Sequence, residues 1–65
     1  QTDDLVNHAC AYRGLAEVRL AKGDIKTAKS DAQKALACFE KAGDTVGAAG
    51  LKDLMTQINS QDRSL

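Results

Sequence analysis

Apolar positions along the chain fall into three groups, each stepping by three and four residues. In the first group Leu5, Ala9, Tyr12, Leu15-Ala16 and Arg19-Leu20 recur at helical spacing. The second carries Ile25, Ala28, Ala32, Ala35-Leu36 and Phe39 on one stripe, with Lys26, Lys29, Asp31, Lys34 and Lys41 mostly on the other side. In the third, Val46, Leu51, Leu54, Met55 and Ile58 share one side. The spacing predicts helices over about 4–22, 25–42 and 45–59, with polar residues 60–65 as a disordered tail. Phe39 is the largest single anchor for a core.

Two Gly-Asp pairs, Gly23-Asp24 and Gly43-Asp44, divide these groups. Glycine takes positive φ without a Cβ clash and so stops a helix. The following aspartate caps the next helix by accepting from its free backbone N–H groups. A stop and a start side by side give a tight αα-hairpin, and the second pair adds a third helix. Upstream, any of Thr2, Asp3 and Asp4 can serve as the first N-cap. Glycines inside the helices cost about 1 kcal/mol each relative to alanine, at Gly14, Gly47 and Gly50. The fold class is therefore all-α, an antiparallel helical hairpin plus a third helix in one domain spanning 1–65.

The hairpin resembles a tetratricopeptide repeat (TPR). That family's pattern has an aromatic, then Leu and a small residue, then Gly-Asp and small residues in the second helix. Here those places hold Tyr12, Leu15, Ala16, Gly23-Asp24 and Ala28, followed by Ala32, Ala35 and Leu36. Arg19 stands where an aromatic is usual, Ala32 replaces a large residue, and the chain contains no proline. Setting Leu51, Leu54, Met55 and Ile58 over Tyr12, Leu15, Ala16 and Arg19 gives a repeat of 39 residues. The usual length is about 34. The resemblance implies an α-solenoid fragment, one full repeat followed by the opening helix of another or by a capping helix.

Composition narrows the function classes. A chain of 65 residues buries a small core, about 60% of the surface its unfolded form exposes. The hydrophobic fraction is 43%, much of it alanine, and aromatics are 3%. Formal net charge is zero, with no basic stripe for nucleic acid. No apolar run approaches the ~20 residues that span a bilayer, so no membrane partner is expected. Gln1 in place of a start methionine is expected of an excised or processed piece. Cys10 and Cys38 read as two thiols in a reducing, cytoplasmic setting, with an inter-helix disulfide as the alternative.

Catalytic chemistry finds little support. His8 is the one side chain that ordinarily titrates near neutral pH. It lies two residues from Cys10, about 200° away on a helix, so the two cannot share a metal ion. Zinc spacing, phosphate loops and nucleophile elbows are missing. No enzyme activity and no cofactor are expected. The TPR resemblance instead implies a peptide-binding concave face lined by the first helix of each repeat. The matching positions are Cys10, Arg13, Glu17 and Leu20, and on the third helix Lys52, Thr56 and Asn59. Arg13 suits a carboxylate in two parallel hydrogen bonds, and Lys52 adds a point charge. The expected function is a scaffold or adaptor segment that binds a peptide or partner domain. The alternative is a homodimer formed through an uncovered apolar end at Leu51, Leu54, Met55 and Ile58.

Overall fold

A computed structural model of the chain describes the backbone of residues 2–64 and the side chains of residues 4–62. It comprises three helices, α1 (Thr2–Ala21), α2 (Ile25–Ala42) and α3 (Thr45–Ser64). The first begins ahead of the expected start, which puts Asp4 inside its first turn. The side chains of Thr2 and Asp3, the other two candidate caps, lie outside the described residues.

Both Gly-Asp pairs work as stop and start. Gly23 and Gly43 hold φ of 83° and 72°, the left-handed region. At the first junction the Gly23 N–H donates to Leu20 O at 3.1 Å and the Asp24 N–H to Arg19 O at 2.8 Å. At the second, Gly43 donates to Glu40 O at 3.1 Å and Asp44 to Phe39 O at 3.0 Å. Each pair of bonds closes a Schellman motif, which satisfies the last carbonyls of the helix before it. The same aspartates then begin the next helix. Asp24 Oδ1 accepts from the Thr27 N–H at 3.4 Å, and Asp44 Oδ1 accepts from the Gly47 N–H at 2.9 Å.

α2 is the central element, packed extensively against α1 and less so against α3, while α1 and α3 touch sparsely. The residues of α1 and α2 with no exposure at all are alanines: Ala9 and Ala16 from one, Ala28, Ala32 and Ala35 from the other. Alanines allow close helix approach but remove little area from water. The larger buried side chains are Ile25 and Phe39 on α2 and Leu51, Leu54 and Ile58 on α3. Phe39 is 2% exposed, in keeping with its expected role as anchor.

Gly47 makes the Phe39 site possible. A Cβ at Gly47 would overlap the Phe39 ring. This glycine is therefore a packing residue as well as a weak helix former.

Three expectations need correction. Residues 60–64 continue α3 as helix, and Leu65 lies outside the described residues. Once a helix is seated, adding residues gains one hydrogen bond for each. Lys29 Nζ on α2 also holds Asp62 Oδ2 at 3.1 Å. Val46 is 83% exposed and stands apart from the core stripe of α3. Asp31 does not join the solvated lysine face. It is buried, and Arg19 Nε donates to its Oδ2 at 2.8 Å across the α1–α2 contact. Arg19 Nη1 also stands 3.9 Å from Asp24 Oδ2. The residue that departs from the TPR pattern at Arg19 is thus matched by a carboxylate on the facing helix.

Candidate functional site: the groove between α1 and α3

Because α2 holds α1 and α3 apart, a groove of about 510 Å3 opens between them. One wall is Glu17, Leu20, Ala21 and the turn at Lys22-Gly23; the other is Leu54, Gln57 and Gln61. Further toward the N-terminal end of α1, Arg13 Nη1 comes to 3.7 Å from where a Cβ on Gly50 would stand. Numbers rise together along both walls, so the two helices run in the same direction.

Of the four expected α1 positions, Glu17 and Leu20 line this groove, and Arg13 reaches toward Gly50 of α3. Cys10 is exposed and is a free thiol, as is the half-buried Cys38. Arg13 Nε lies 3.5 Å from Glu17 Oε1, so part of its fork is engaged within α1.

The α3 half is not where the sequence alignment put it. Leu54 and Gln57 stand opposite Glu17 and Leu20, whereas the expected Lys52, Thr56 and Asn59 are exposed on another side of α3. Lys52 lines a separate hollow of about 330 Å3 with Phe39, Asp44 and Ala48. The Thr56 hydroxyl donates to the Lys52 carbonyl at 3.0 Å, within its own helix. Gln57 and Gln61 belong neither to the apolar pattern nor to the repeat-matched positions, so nothing in the sequence singled them out.

No family model, curated protein or solved structure matches this chain.

The apolar set at Leu51, Leu54, Met55 and Ile58 is not an uncovered end. Leu51, Leu54 and Ile58 are 0%, 8% and 1% exposed within the chain's own core, and Met55 packs partly buried against it. A second copy would contact them only if α3 left its own hairpin and packed on that of the other copy. Among the described residues no group of three or more His, Cys, Asp or Glu side chains converges where a metal ion would sit. No helix among the described residues is long and apolar enough to cross a membrane.

The groove offers mixed chemistry. Leu20 and Leu54 supply an apolar floor, Gln57 and Gln61 are exposed amides, and Glu17 and Lys22 place opposite charges on the α1 side. A side-chain amide both donates and accepts, so two of them one turn apart match the alternating N–H and C=O of an extended peptide.

Proposed function

We propose that the chain is a protein-interaction unit that takes an extended peptide segment of a partner protein into the α1–α3 groove. In this reading α1 and α2 form one TPR-like repeat and α3 opens the next, with the unit acting as scaffold or adaptor. The observation that carries it is the pair Gln57 and Gln61 facing Leu20 across an open groove, apolar below and amide-lined above. The co-directional run of α1 and α3, with α2 packed against both, also supports the repeat arrangement. No catalytic step and no cofactor form part of the reading.

The test is selection of binders from random dodecapeptides displayed on phage, followed by titration of the synthesised peptides. Gln57→Ala with Gln61→Ala removes two exposed side chains and is expected to leave helicity unchanged. Affinity should fall by about tenfold or more, equivalent to ~1.4 kcal/mol. Lys52→Glu, placed away from the groove, should bind as the parent does. Failure to select any binder would reject the reading, as would peptides that ignore the glutamine pair and respond to Lys52.

A further inference from the structure

α1 carries a second apolar line, turned away from both neighbours. Leu15 is 45% exposed and Val18 52% exposed, with exposed Ala11 one turn earlier. The apolar residues of α1 are spread around its circumference instead of gathered on one face. A helix apolar on more than one side is ordinarily covered on more than one side.

The line has a regular spacing. Asp4, His8, Ala11, Leu15, Val18 and Lys22 follow one another in alternating steps of four and three, and all are exposed. Those steps are the seam of a two-stranded coiled coil. Lys22 lies just past the last residue of α1, yet its N–H still donates to Val18 O at 3.1 Å, so it continues the helical path.

The two ends of the line carry opposite charges, and its centre falls between Ala11 and Leu15. Laid antiparallel on a second copy, Asp4 meets Lys22 of that copy at each end. Ala11 then meets Leu15, and His8 meets Val18, by one two-fold axis. A parallel arrangement would instead set aspartate against aspartate and lysine against lysine. On one flank of the seam Asn7, Gly14 and Ala21 bring no charge; on the other, Arg19 is paired with Asp31. A Cβ at Gly14 would meet nothing within 4 Å in this chain, so that flank is open to close approach.

We propose that α1 pairs antiparallel with α1 of a second copy of this chain, forming a weak homodimer with the Ala11-Leu15-Val18 line as its seam. This goes beyond the groove reading and does not rest on it. Glu17 and Leu20 lie on the groove side of α1, and Lys22 at the end of the seam also stands in the groove wall. Three apolar positions per copy make a contact below the roughly 1,200 Å2 of a stable interface, hence weak association.

Sedimentation equilibrium from about 10 µM to about 1 mM brackets such association. The intact chain should approach dimer mass at the upper end, and Leu15→Gln should stay monomeric with unchanged helicity. Asp4→Lys alone, and Lys22→Asp alone, should each weaken the dimer by about 3- to 10-fold in low salt. Combining the two exchanges the charges and should restore it. A monomer at every loading overturns the proposal. So does a dimer indifferent to Leu15→Gln, which would point to exchange of α3, and so does a double variant that fails to restore association.

Discussion

Gly47 and Gly50 sit one turn apart on α3, yet a methyl group should have opposite effects at the two. At Gly50 an added Cβ meets Arg13 Nη1 at 3.7 Å, an ordinary contact. Gly50→Ala should therefore gain about 0.5–1 kcal/mol from helix propensity. At Gly47 the same atom enters the Phe39 ring, which is buried and cannot swing clear. Gly47→Ala should lose about 1–3 kcal/mol, as overpacked cores do. Urea midpoints moving in opposite directions check both. Sequence alone priced the two glycines equally, because propensity is local and the Phe39 contact is not. The same holds for Arg19 and Asp31, whose residue types say nothing of their pairing across two helices. Arg19→Ala should cost about 1–2 kcal/mol, less than a fully buried pair, because its side chain is 39% exposed and screened. Arg19→Met with Asp31→Leu should recover most of that loss, and a double-mutant cycle measures the coupling.

At the scale of elements, the boundaries were readable where chemistry is punctuated. Gly23-Asp24 and Gly43-Asp44 fix the junctions, and α2 runs over the expected 25–42. The end of α3 was not readable, since its last turns carry no apolar residue and are held partly by Lys29 to Asp62. The facing of α3 toward α1 was also hidden. Local propensity does not set that facing, which depends on what Leu51 and Ile58 bury against. The two caps should differ in strength. Asp44 accepts at 2.9 Å in a half-buried setting, Asp24 at 3.4 Å in solvent. Asp44→Ala should thus cost about 1–2 kcal/mol and Asp24→Ala about 0.5–1 kcal/mol. Thermal melts of the two variants at one pH would order them.

For the whole molecule, the distribution of large side chains decides which parts can stand alone. Among the described residues α1 buries only alanines, α2 adds Ile25 and Phe39, and α3 supplies Leu51, Leu54 and Ile58. The hairpin is the sequence's clearest feature, yet the third helix provides most of the larger apolar groups in the core. A chain of this size has about 3–10 kcal/mol of stability in all. Leu51→Ala alone should remove about 3–5 kcal/mol of it. A fragment of residues 1–43 would keep both Schellman bonds of the first junction and the alanine contact, but would expose one side of Phe39. Isolated helices of this length are marginal in water. The fragment is therefore expected to lose its cooperative melt and most of its helical circular dichroism, while the intact chain unfolds in one step. If 1–43 retained a sharp transition, the alanine contact would have to be worth more than its area allows. The hairpin would then be the folding unit and α3 an addition to it.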